Sequence, residues 1–174
     1  MEFLAAIKER IPDYAKDIRP NLDSTIARSS LEGNDAVGVA LAAAFAAKSA
    51  TIVKTIRNAG VLSPEETHGA LAAAALMGMN NVWYPYGEMA GNADLKSQPA
   101  GLRMNAYAPH GGVDGRRFEL YALAASIVGK CHFCVKSHFD TLIEEGLSSI
   151  QLRDVGRIAA VVNAAAQAIA AENT

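Results

Sequence analysis

The chain has 174 residues, of which 51% are hydrophobic and 20% charged, with a formal net charge of −2. That length holds one domain or two closely packed halves. A pI near 6.1 and the lack of a basic run argue against a nucleic-acid partner or an anionic membrane surface. Aromatic residues are only 6% and alanine supplies much of the apolar content, a composition suited to close-packed helices. The longest apolar run, 36–47, is too short and too small-residued to span a bilayer. The start, Met1-Glu2-Phe3-Leu4, lacks the charged and apolar regions of a secretory signal, so a cytoplasmic location is expected.

In chain order, residues 2–10 read as a short helix ended near Pro12, and Pro20 interrupts the next stretch. Apolar residues recur at helical spacing over 35–47 and again over 49–58. Ser63-Pro64-Glu65-Glu66 is a helix start, with Ser as N-cap, Pro at the first position and Glu at the third. That helix is predicted to end at Gly78. Residues 84–101 carry Pro85, Gly87, Gly91, Pro99 and Gly101 and read as an irregular connection, with Trp83, Tyr84 and Tyr86 as packing at a helix end. Pro109-His110-Gly111-Gly112 is a second break. Helices are predicted over 116–128, 131–145 and 148–172. No stretch alternates with the period of a half-buried strand, so the predicted class is all-α.

A faint internal repeat appears at an offset of 51. It sets His68-to-Gly78 over Glu119-to-Gly129, with Ala73, Ala74 and Gly78 matching Ala124, Ala125 and Gly129. On that offset Asn80 and Trp83 stand where Cys131 and Cys134 stand in the second copy. The expected organisation is a structural half over about 1–101 and a thiol-bearing half over about 102–174.

The only two cysteines are Cys131 and Cys134, and four residues later comes His138. A CxxC pair can close a reversible disulfide, and a helix start at that point favours the thiolate. His138 rises on the same helix face as Cys134 and can take up and return a proton. Cys131, one turn away, can resolve a sulfenic acid formed on Cys134 into a disulfide. Glu119 is the nearest upstream carboxylate, placed to orient His138 directly or through a water. His68 and His110 have no constellation around them and read as structural. Zinc is the competing reading, with Cys131, Cys134, His138 and His132 as the set, but one helix turn presents four tetrahedral ligands poorly.

Taken together, Glu119, Cys131, Cys134 and His138 at these spacings resemble the catalytic signature of alkyl hydroperoxidase D, within the carboxymuconolactone-decarboxylase-like superfamily. The resemblance covers the chain, with Ile11-Pro12-Asp13-Tyr14-Ala15-Lys16-Asp17-Ile18, Met77-Gly78-Met79-Asn80-Asn81-Val82 and Gly101-Leu102-Arg103-Met104-Asn105 also similar. It implies an all-helical, internally duplicated fold and a homo-oligomer, often a trimer. It implies reduction of alkyl hydroperoxides and re-reduction of a partner peroxiredoxin, alkyl hydroperoxide reductase C. No bound cofactor is implied. The reductant would be dihydrolipoamide on a lipoylated dihydrolipoamide acyltransferase. By position, Cys134 resembles the peroxidatic thiol, Cys131 its resolving partner and proton donor, and His138 with Glu119 the proton relay. Family members carry His just before the second cysteine, where this chain has Phe133. His132, about a hundred degrees away around the helix, is left as an auxiliary candidate. Alternatives are a non-redox decarboxylase-like member of the superfamily or a zinc-binding scaffold.

Overall fold

A computed structural model describes residues 1–172, and among them there is no strand. The α-helices are α1 (Glu2–Lys8), α2 (Ile18–Leu22), α3 (Gly33–Ala46), α4 (Ala50–Asn58), α5 (Pro64–Ala90), α6 (Ala93–Ser97), α7 (Gly115–Gly129), α8 (His132–Glu144) and α9 (Ser149–Ala171). The all-α reading stands. No helix among the described residues is long and apolar enough to cross a membrane.

Two helices occupy the centre because they are apolar on every side. In α3 every residue from Asp35 to Ala44 is buried, and in α7 every residue from Phe118 to Ser126. Their small residues let backbones approach: a Cβ on Gly38 would overlap the ring of the fully buried Tyr121. Helices α5 and α9 flank this pair, and α8 lies against α7 and α5. By contrast α4 buries only Ile52 and Ile56, one stripe of an amphipathic surface helix.

Charged residues fasten the starts of three helices. Asp35 of α3 is wholly buried and lies 2.9 Å from Arg117 Nε and 3.1 Å from an Arg116 guanidinium nitrogen. Arg117, in the first turn of α7, also meets Glu66 in the first turn of α5 at 3.0 Å. Burial pushes the Asp35 carboxyl up, and the two arginines pull against that shift.

Two helix boundaries differ from the sequence reading. Pro20 lies inside α2 rather than breaking it, at the third helical position, where its missing N–H has no intrahelical partner to lose. The larger correction concerns α5, which passes Gly78 and Pro85 and ends only at Ala90. The stop is Gly91, in the left-handed region at φ 63°. Proline removes one backbone bond and strains the turn before it. The helix persists there because tertiary contact continues along it: Asn80 is buried, and Tyr84 stacks on Phe133 of α8. Local propensity yields to packing. The Trp83–Tyr86 aromatics therefore stand within a helix, not at its end.

Candidate active site

The site grows from the junction between α7 and α8. Helix α7 ends at Gly129, and Lys130 takes the left-handed conformation at φ 57°. Cys131 follows as the N-cap of α8. Its Sγ accepts the backbone N–H of Cys134 at 3.2 Å, so the sulfur sits at the positive end of the helix. Gly129 is required by close approach, since a Cβ there would overlap the Asn81 side chain of α5. Asn81 Nδ2 in turn donates to the Ala125 carbonyl at 3.0 Å, clamping α5 to the end of α7.

Cys131 and Cys134 form a disulfide, with their Cα atoms 5.3 Å apart. Both are buried, but only Cys134 faces a cavity, a chamber of about 160 Å³. Helix α8 contributes Phe133, Cys134, Ser137 and His138 to its wall, α5 contributes Met77, Asn80 and Tyr84, and the loop before α7 contributes Met104 and Tyr107.

Glu119 and His138 meet directly, with no water between them. The His138 Nδ1–H donates to Glu119 Oε2 at 2.6 Å, and both side chains are almost fully enclosed. The other carboxylate oxygen accepts the Tyr107 hydroxyl. Burial opposes ionisation of Glu119, but hydrogen bonds from His138 and Tyr107, with the charges of His138 and His110, hold its carboxyl below the ordinary value. Burial pushes the Tyr107 phenol far above its usual value, and the Glu119 carboxylate adds to that, so Tyr107 stays a donor. The remaining ring nitrogen of His138, Nε2, lies 3.1 Å from Met77 Sδ, a weak acceptor for it when protonated.

The structure thus brings Cys131, Cys134, His138 and Glu119 together. It does not bring in His132, which is exposed and lines a separate groove with Val135, Lys136 and Phe139. The four-residue zinc set is therefore not assembled. Several site residues escaped the sequence reading. Tyr107 lies in an irregular segment with no periodicity to point at it. Met77, Asn80 and Met104 sit within the motifs that carry the family resemblance, yet nothing local shows that they converge. His110, read as having no constellation, packs against Tyr107 and Phe118 with ring centroids 6.0 and 5.6 Å away. His68 does the structural work expected of it, its Nδ1 lying 2.7 Å from the Gly111 carbonyl oxygen.

Similarity to known proteins agrees with this layout. One relative, the alkyl hydroperoxide reductase AhpD of Rhodospirillum centenum (strain ATCC 51521 / SW), is 43% identical over 171 residues, covering 97% of this chain and 91% of the relative. The chain belongs to the alkyl hydroperoxide reductase AhpD family. The AhpD of Rhodopseudomonas palustris (strain BisA53) is 39% identical, over 97% of this chain and 93% of its own. That of Coxiella burnetii (strain Dugway 5J108-111) is 38% identical, over 98% of both. The broader pattern of the Carboxymuconolactone decarboxylase family matches residues 93–173. Within the described residues that match takes in α6 to α9, hence both cysteines, Glu119 and His138, whereas Met77, Asn80 and Tyr84 lie before it.

Proposed function

We propose that this chain is a thiol peroxidase that reduces alkyl hydroperoxides through Cys131 and Cys134 and re-reduces an alkyl hydroperoxide reductase C-type peroxiredoxin. The observation that carries the reading is that Cys134 lines the same small pocket as His138, which the buried Glu119 holds by a hydrogen bond, while its disulfide partner caps a helix. In the reduced protein His138, oriented by Glu119, takes the Cys134 proton. The thiolate attacks the outer peroxide oxygen, the O–O bond breaks, and the alcohol leaves with the proton returned by His138. Cys134 is then a sulfenic acid. The Cys131 thiol condenses with it, releasing water and closing the disulfide.

Re-reduction follows from the asymmetry of the pair. An incoming dithiol reaches the sulfur that faces the cavity, Cys134, and displaces Cys131. The Cys134 N–H and the helix terminus stabilise the departing thiolate. A second thiol of the reductant then releases Cys134 and leaves as a disulfide. Dihydrolipoamide on a lipoylated dihydrolipoamide acyltransferase fits this exchange, and nothing need be bound permanently. The same reading gives a cytoplasmic homo-oligomer, a trimer in the first instance. It also takes the two halves, about 1–101 and 102–174, as copies of one unit, although the first half supplies cavity wall as well as scaffold.

Peroxide consumption with dihydrolipoamide as reductant tests the reading. Turnover should vanish in Cys134→Ser and in Cys131→Ser, and two thiols per reduced chain should disappear on adding peroxide. Unchanged turnover in Cys134→Ser would sink the assignment. Retention of both thiols under peroxide would favour a non-redox member of the superfamily. Sedimentation of the purified protein tests the oligomer.

A further inference from the structure

The chamber holding Cys134 is small for an organic substrate. Small-molecule sites usually enclose about 300–1,000 Å³, and this one encloses about 160 Å³. It has room for a reacting head and little more. Its wall includes two aromatic rings, Tyr84 and Phe133, stacked with centroids 4.5 Å apart and planes 24° apart. The same two rings also line a second cavity, of about 460 Å³. That outer groove is walled by Trp83, Leu95 and Ala100, and the exposed Glu88 and Lys96 give it one charge of each sign.

Resting on the peroxidase reading, we propose that the Tyr84–Phe133 pair is an aromatic gate between the two cavities. The outer groove is the subsite for the unbranched, uncharged alkyl chain of an organic hydroperoxide. Three observations converge on this. The cavities share the gate residues, so a chain leaving the inner chamber past them enters the groove. Phe133 is 50% exposed and immediately precedes Cys134, so its ring can swing outward without disturbing the core. The groove wall is more apolar than polar, with Gln98 beside Trp83, Leu95 and Ala100, and its two charges are of opposite sign, which favours a neutral chain over an ionic one. Stacked at 4.5 Å the two rings are closed, and with the Phe133 ring swung aside the passage beside Tyr84 admits a linear methylene chain and obstructs a branched or aryl-substituted carbon next to the peroxide. Phe133 thereby acts as a specificity residue.

Trp83 is the only tryptophan, so its emission reports on the groove without any turnover. Primary alcohols from n-butanol to n-octanol, which are analogues of the reduced product, are titrated against the oxidised protein. Binding is expected to saturate and to tighten by up to about fourfold per added methylene. Leu95→Asp should abolish that dependence. Affinity independent of chain length, or unaffected by Leu95→Asp, overturns the subsite. With dihydrolipoamide as reductant, kcat/KM for a primary n-alkyl hydroperoxide should exceed that for cumene hydroperoxide by about tenfold or more. The half-exposed Phe133→Ala should bring the two close to equality, and an unchanged ratio overturns the gate. Chain-length-dependent binding in a protein without peroxidase activity would retain the groove and reject the peroxidase reading. Turnover without such binding would do the reverse.

Discussion

Two stretches of this chain, offset by 51 residues, begin alike and end differently. Ser63 caps α5 by accepting the Glu66 N–H, and Asp114 caps α7 by accepting the Arg117 N–H, so the caps are in register. Both helices then run through matching alanines to Gly78 and Gly129. There they part. Helix α5 continues unbroken to Ala90, whereas the second stretch stops at Gly129, turns through Lys130 and starts α8 afresh. The break creates a helix N-terminus, and an N-terminus is what gives Cys131 a backbone donor and a positive potential. On the continuous side the matching residues, Asn80, Trp83 and Gly87, form wall. On the broken side Cys131, Cys134 and His138 form chemistry. Reactivity here comes from interrupting a helix as much as from placing cysteines.

The comparison breaks first at the acid–base pair, present only on the second side. Glu119→Gln keeps the shape but removes the charge that orients His138. Peroxide turnover should fall about 10²-fold or more, with Cys134 still able to form the disulfide when oxidised by a small disulfide reagent. The pH dependence has a definite sign. Because the folded-state Glu119 carboxyl is held below its unfolded value, its contribution to stability is full above the ordinary carboxylate range. It is lost as pH falls through the lowered value. Urea midpoints measured across acid pH should therefore drop less steeply in Glu119→Gln than in the wild type.

Next comes the junction itself. Gly129→Ala puts a methyl group into the Asn81 side chain and should cost about 1–3 kcal/mol in denaturant unfolding, with a matching loss of disulfide closure. The corresponding Gly78 has nothing within 4 Å of a Cβ, and Gly78→Ala should be neutral or mildly stabilising. Equal costs at the two positions would remove the distinction between the halves.

A third test lies outside the junction, where α9 is tied back to the loop before α3. Asp154 is buried and accepts from the Ser30 N–H and hydroxyl at 2.8 and 2.9 Å and from Arg153 and Arg157. Burial opposes its ionisation, but these donors win and hold its carboxyl well below the usual range. Asp154→Asn should cost about 2 kcal/mol near neutral pH. The difference from the wild type should shrink only in strong acid, as pH falls through the lowered value. The smallest effect is expected at Lys130, a non-glycine residue at positive φ. Lys130→Gly should stabilise by at most about 1 kcal/mol and leave turnover intact, as thermal unfolding and the peroxide assay would show.

The CxxC–His spacing was legible because it depends on helical periodicity, and Glu119 because it is the nearest upstream carboxylate and completes the family signature, although its contact crosses from α7 to α8. Once α8 is a helix, Cys134 and His138 must share a face. What was illegible crosses between segments. Tyr107 reaches Glu119 from an irregular loop, Met77 reaches His138 from a helix 61 positions earlier, and Tyr84 lies beyond the point where local signals ended its helix. His132 shows the opposite failure, since closeness in sequence placed it near the thiols while the turn of the helix carried it to another face.

By itself, then, the sequence determined the helical class, the cap that starts α5, and the face carrying Cys134 and His138. All of these follow from interactions within a few residues along the chain. Only the tertiary structure decided that α5 survives Pro85, that Gly129 must be bare to admit Asn81, and that the Tyr84 and Phe133 rings line both the Cys134 pocket and the outer groove. Those outcomes depend on close packing between helices, where the energy of contact overrides local propensity and no short-range pattern records the neighbour.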